Sequence, residues 1–258
     1  MRFLSPRIDV AFKKLFGDKE HTEVTRDFLN AALERKNGTK IIEVTIQDPT
    51  NSVRNPEDKK SFVDVHCTDE KGVQYIVEMQ ITNQKHFMER VLYYVSRNII
   101  NQLASRDKYL EVKPVILLAI FDDFTFFKNK KFQALTHHFI TEQTTHEQTL
   151  PEAEFHFIEL AKFTKNLKEL KTDIDRWMYF FKEVDALEKI PKELAKDDAL
   201  VKAFDILEES TWKKKELISY ENSLDIFRQK ENRVELIKER GIKKGEVKKR
   251  QSKKVKKS

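Results

Sequence analysis

The stretch from Phe62 to Thr82, FVDVHCTDEKGVQYIVEMQIT, restricts the possible folds more than any other part of the chain. Polar and apolar residues alternate on both sides of Glu70-Lys71-Gly72, the pattern of two half-buried strands joined by a short loop. Val63, Val65 and Cys67 are expected on one face of the first strand, and Val73, Tyr75, Val77 and Met79 on the matching face of the second. Gly72 suits a loop position that needs left-handed backbone. A three-residue loop pairs Asp69 with Val73 and, counting outward, Asp64 with Glu78. Directly opposed residues have Cβ atoms about 5 Å apart and point the same way. Gln80, two residues beyond Glu78, shares their face.

Two carboxylates at that separation repel, and a buried pair tends to take up a proton. A divalent cation removes the conflict. Mg²⁺ suits such a pair, because it prefers one or two carboxylates with water and phosphate oxygens completing the octahedron. From the hairpin alone the choice between a cation site and a solvated polar face stays open.

The remaining pattern supplies a scaffold. Ser5-Pro6 to Gly17 reads as a short helix with Ser5 as N-cap, Gly17 as C-terminal cap and an Ile8, Phe12, Phe16 stripe. Asp9 and Lys13 lie one turn apart and can pair. A second helix is expected over about 20–35, ended by Asn37-Gly38, and a strand over 40–47, stopped by Asp48-Pro49. With the hairpin this makes three antiparallel strands, and residues 50–60 read as a loop or frayed strand end. Asn83 to Arg106 reads as a long helix with a Met88, Val91, Leu92, Val95, Ile99, Leu103 stripe, and Arg90, Tyr94 and Arg97 away from its centre. Pro114 to Phe121 is apolar without alternation, as a strand buried on both faces would be. The intervening helix therefore permits a parallel crossover and a mixed sheet. Further strands are expected over 132–140 and 154–159, and a short helix over 160–170.

After Thr172 the pattern is helical throughout. Ile174, Trp177, Met178, Phe181 and Val184 face inward in one helix, and Leu194, Leu200, Phe204 and Leu207 in the next region. A third helix runs over 217–237. The expected organisation is an α/β domain over 1–170, a helical appendage over 171–240 and a basic tail over 241–258. The tail holds nine Lys/Arg against one Glu, so a chain of net charge +6 carries −2 on residues 1–240. The 39% hydrophobic content, with 19 Phe, is enough for a packed core. The single cysteine, Cys67, excludes a disulfide framework and a cysteine zinc site, and its place on the apolar face predicts a buried thiol. MRFLSPRIDV lacks the apolar core of a signal peptide, and no apolar run is long enough to cross a bilayer. A cytoplasmic protein without membrane contact is expected.

Several separated motifs resemble one family: Asp9-Val10-Ala11-Phe12-Lys13-Lys14-Leu15-Phe16-Gly17, Asp64-Val65, Glu78-Met79-Gln80, Arg90 with Tyr94, the strand after Pro114, and Phe157-Ile158-Glu159-Leu160. Together they are similar to the recombination-promoting nucleases, the PD-(D/E)xK nuclease family transposases. The resemblance covers about residues 5–170, and the Gly- and Lys-rich end resembles the tails found there. It implies a restriction-endonuclease-like mixed sheet flanked by helices, and Mg²⁺-dependent DNA cleavage, with Mn²⁺ as a substitute ion. Asp64 and Glu78 match the metal-binding acids, and Gln80 matches the position that many such nucleases fill with lysine. Val63 stands where the motif's name places proline. Glutamine can hydrogen-bond but cannot carry lysine's charge.

The expected site is thus Asp64, Glu78 and Gln80, with Asp9, Lys13, Arg90 and Tyr94 as supporting or DNA-contacting residues. Each has a bland alternative: a helix ion pair for Asp9 and Lys13, a buttressing helix face for Arg90 and Tyr94. His66 shares the acids' face, His137 and His138 point to opposite faces, and the other histidines have no spacing that suggests a site. DNA is the expected partner, with no organic cofactor, and a homodimer if both strands are cut by one site per chain. The alternatives are a catalytically degenerate nucleic-acid-binding or assembly protein on the same fold, and a defence nuclease against foreign DNA.

Overall fold

Strand β6 (Val115–Phe121) is buried at all seven positions, and in the computed structural model the sheet is built outward from it. Residues 1–36, 38–48, 50–51, 61–103, 109–122, 124–229 and 232 are described. On one side β6 pairs in parallel with β5 (Gln74–Gln80), which is antiparallel to β4 (Val65–Asp69), itself antiparallel to β1 (Val44–Ile46). On the other side it pairs in parallel with β8 (Ala153–Glu159), which carries β7 (Leu135–Phe139) antiparallel at the edge. The sheet order is β1-β4-β5-β6-β8-β7, and a separate ribbon joins β2 (Thr50–Asn51) to β3 (Ser61–Phe62).

The hairpin forms in the expected register: Val65 faces Val77 and Cys67 faces Tyr75, and Gly72 adopts φ +79° in the loop. One expectation fails at its entrance. Val63 does not share a face with Val65 and Cys67; it packs with Ile76 and Phe87 on the opposite side. The chain bends at Asp64, so the strand's alternation starts only after it.

Two apolar layers cover the sheet. Val65, Cys67, Val77, Ile116, Leu118 and Ile158 pack against α1 (Asp9–Phe16), α2 (Thr22–Ala32), α4 (Asp173–Glu183) and α5 (Asp198–Leu207). Ile76, Leu117, Ala119, Phe121 and Phe157 pack against α3 (Phe87–Asn101). Helices α4 and α5 lie on α2, and α5 also on α1, so the C-terminal helices share one core with the N-terminal ones. Trp177 and Trp212 are core residues in this layer, and Cys67 is fully buried, its thiol pushed up to about 12 by burial. A sixth helix, α6, runs over 214–229.

Several boundaries differ from expectation. Helix α1 begins at Asp9, not Pro6. Ser5 cannot cap it, because its hydroxyl accepts from Arg7 Nε and its carbonyl closes a turn with the Ile8 amide. Gly17 does end it, where a Cβ would lie 2.8 Å from the Lys13 carbonyl oxygen. The helix expected over 160–170 is two 3-10 turns, Leu160–Lys162 and Leu167–Glu169. Lys182 Nζ donates to the Phe163 carbonyl and Lys165 Nζ to Asp175, which holds the intervening backbone extended.

On α3 the buried stripe is Phe87, Val91, Tyr94, Val95 and Asn98, while Met88 and Leu92 are exposed. The helix is rotated from the expected face because Phe87 packs edge-on against Phe121 and Phe126. The expected ends at Asn37, Pro49, Arg106 and Ile237, most of the loop at 50–60, and the tail at 241–258 lie outside the described residues.

Candidate active site

Strand β5 ends with Glu78 and Gln80 on its α3-facing side, and the bend before β4 sets Asp64 one register step beyond the Val65–Val77 pair. The Met79 amide donates to Asp64 Oδ2 at 2.8 Å, which fixes that carboxylate beside Glu78. Glu78 is 4% exposed and Gln80 6%. A cavity of about 380 Å³ opens here, and Asp9, Asp64, Glu78, Gln80, Arg90 and Tyr94 all line it. Lys13 stands beside it on α1, bonded to Asp9 at 2.8 Å. Burial works to lower the Lys13 ammonium; Asp9, Asp64 and Glu78 outweigh it and raise it. All seven residues singled out from the sequence thus meet in one place.

The electrostatics are those of a crowded acid pair. Burial, and then the charge of Asp64, push Glu78 up to about 8, against the pull of Arg90 and Lys13. Burial also raises Asp64, partly offset by the Met79 amide. Tyr94 is raised by burial and by the charge of Glu78. Glu78 Oε2 accepts from Gln80 Nε2 at 3.3 Å, whereas Glu78 Oε1 is buried with no hydrogen-bond partner among the described residues. Arg90 stands over the rings of Phe87 and Tyr94 and donates to Gln80 Oε1 at 2.9 Å and to Gln84 Oε1.

The profile of the PD-(D/E)XK nuclease family transposases matches residues 6–236. The chain belongs to that family. No curated protein and no solved structure matches it. The match crosses into the C-terminal helices, and the six-stranded mixed sheet, flanked by six helices among the described residues, is the restriction-endonuclease-like fold of PD-(D/E)XK nucleases. These enzymes generally use divalent metals.

The donor set fits such an ion. Two facing carboxylates that cannot both ionise comfortably, one with an orphaned buried oxygen, form the environment a divalent cation relieves. Among the described residues no group of three or more His, Cys, Asp or Glu could hold a metal ion; an ion on the two carboxylates would need water and substrate oxygens to complete its shell. No helix among the described residues is long and apolar enough to cross a membrane.

Some residues at the cavity had no signal in the sequence. Arg7 lines it, held by Asp122 at 3.4 Å and Asp185 at 3.0 Å, and Gln84, Ser223, Ile226 and Phe227 complete the wall. The last three come from α6, more than 130 residues from the hairpin, and no local pattern links them. His66 does not line the cavity; it is half-buried and bonded to the Gln74 side chain. His137 and His156 come together although their spacing in the chain gives no sign of it. They face each other across β7 and β8 with Nδ1 atoms 2.6 Å apart, and their outer nitrogens contact Glu34 and Glu154. Cross-strand register, invisible in linear spacing, brings them together.

Proposed function

We propose that this chain is a Mg²⁺-dependent DNA endonuclease of low sequence specificity, hydrolysing phosphodiesters in recombination or transposition-like events. The observation that carries the reading is the Asp64–Glu78 pair in the wall of a cavity, with Glu78 buried, its Oε1 unpartnered among the described residues and its carboxyl pushed up to about 8. Asp64 and Glu78 would hold the cation. When bound, it supplies Lewis acidity and a water of lowered pKa.

The chain's own groups do the rest. Asp64 stays oriented through the Met79 amide. Gln80 keeps one amide hydrogen beyond its bond to Glu78 and can position water or a phosphate oxygen. Arg7, paired with Asp122 and Asp185, and Lys13, paired with Asp9, offset part of the negative charge beside the acids.

The deciding assay is nicking of supercoiled plasmid with Mg²⁺ by the wild type, Asp64→Ala and Glu78→Ala. The wild type should cleave and both variants should lose at least about 100-fold; equal nicking by all three sinks the assignment. A second reading, binding without cleavage, draws on the uncharged Gln80. It predicts salt-sensitive DNA retention with no Mg²⁺-dependent product. We place the protein in the cytoplasm and expect a homodimer where both strands are cut, which sedimentation tests.

A further inference from the structure

We propose that Arg90 is a positioning residue that acts through Gln80, so that the two side chains together supply the positive, directed donor that a glutamine alone lacks. The inference rests on the nuclease reading above and assigns a division of labour within that site.

The geometry leaves one arrangement of the Gln80 amide. Arginine carries only donors and an ionised carboxylate only acceptors. Arg90 Nη2 lies 2.9 Å from Gln80 Oε1, and Gln80 Nε2 lies 3.3 Å from Glu78 Oε2. Turning the amide over would set its NH₂ against the guanidinium, donor against donor, whatever the charge on Glu78. Arg90 therefore points the amide's donor side at the acid pair.

Arg90 is itself held. Its other terminal nitrogen donates to Gln84, and its plane stands 5.1 Å from the Phe87 ring centroid and 6.0 Å from that of Tyr94. Both terminal nitrogens are engaged within the protein, while Arg90 Nε is buried with no hydrogen-bond partner among the described residues. A guanidinium bonded to the amide oxygen withdraws electron density and makes the amide N–H a stronger donor. Two consequences follow. Glu78 Oε2 accepts from Gln80 while Oε1 has no hydrogen-bond partner among the described residues, so the Glu78 carboxylate keeps open acceptor capacity that a cation would use. The second Gln80 N–H becomes a polarised donor for charge developing on a phosphate oxygen or for the attacking water.

The test is a double-mutant cycle. Arg90→Ala should lower kcat for plasmid nicking by about 100-fold in the Gln80 background. In the Gln80→Lys background, where an ammonium supplies charge directly, the same substitution should cost less than about 5-fold. Equal losses in both backgrounds would overturn the proposal, because Arg90 would then act independently of Gln80. Arg90→Lys, which keeps charge but not the two-pronged contact, should fall between wild type and Arg90→Ala; full activity would also count against it.

A second measurement needs no activity. The Gln80 side-chain amide resonances should be well dispersed and slow to exchange in the wild type, and should collapse toward free-amide values in Arg90→Lys with the fold intact. Unchanged resonances would refute the link. A wild type that cleaves nothing, with the amide coupling present, would fault the nuclease reading and leave the Arg90–Gln80 link standing.

Discussion

Replacing Glu78 by glutamine should make the metal-free protein more stable while removing its activity. The side chain keeps its shape, loses its charge and no longer repels Asp64. In the wild type, burial and Asp64 raise Glu78 from its ordinary 4.5 to about 8. An acid whose folded value is raised holds its proton more tightly in the native state. Its stabilising share is therefore complete below pH 4.5 and lost as pH climbs to about 8. At about 1.4 kcal/mol per pH unit this amounts to on the order of 3–5 kcal/mol, Asp64 carrying part of the shared repulsion. For a chain of this size that is roughly 6–20 °C in Tm.

Thermal unfolding of wild type and Glu78→Gln in chelator, from pH 4.5 to 9, measures it. The two curves should coincide at the acid end and separate steadily above pH 5, with the variant higher. Adding Mg²⁺ at pH 8 should raise the wild-type Tm and leave the variant nearly unmoved. Parallel curves across the whole range would refute the argument, since the acid pair would then not be strained. A Tm gain from Mg²⁺ as large in the variant would place the ion elsewhere.

Other outcomes test the scaffold. Glu159 is fully buried, accepts from the Phe126 and Phe127 amides at 2.7 and 3.1 Å and bonds Lys162; Glu159→Ala should cost about 3–5 kcal/mol in urea unfolding by orphaning these donors. Gly17→Ala should cost about 1–3 kcal/mol, because its Cβ would meet the Lys13 carbonyl oxygen at 2.8 Å. Burial holds His156 below its ordinary value, opposed by Glu154 and helped by the charges of His137 and Arg35. Its share of stability is present above about pH 6.5 and lost as pH falls below it. His156→Gln should accordingly flatten the acid limb of the stability–pH curve.

What could be read in advance was local. The acid pair follows from a three-residue loop and strict alternation, because antiparallel register is counted outward from the turn and a strand's faces repeat every two residues. β6 announced itself by unbroken apolarity, and α4 and α5 by helical periodicity, since burial selects the same residue types wherever the partner lies. The rotation of α3 was not local. Val91 and Val95 fit both the expected and the observed stripe, and Phe87 meeting Phe121 and Phe126 decided that Tyr94 goes in and Leu92 stays out. Nor was the bend at Asp64, which turns Val63 to the other layer.

The same divide runs through the candidate site. Sequence by itself set Asp64 opposite Glu78 and Gln80 beside them, because backbone hydrogen bonding enforces that spacing over a few residues. Only the tertiary structure joined Arg90 to Gln80, brought Arg7 and α6 to the cavity wall, and removed enough water to push Glu78 up to about 8. Those facts depend on how whole helices dock, and burial is a property of everything packed around a group rather than of its neighbours in the chain.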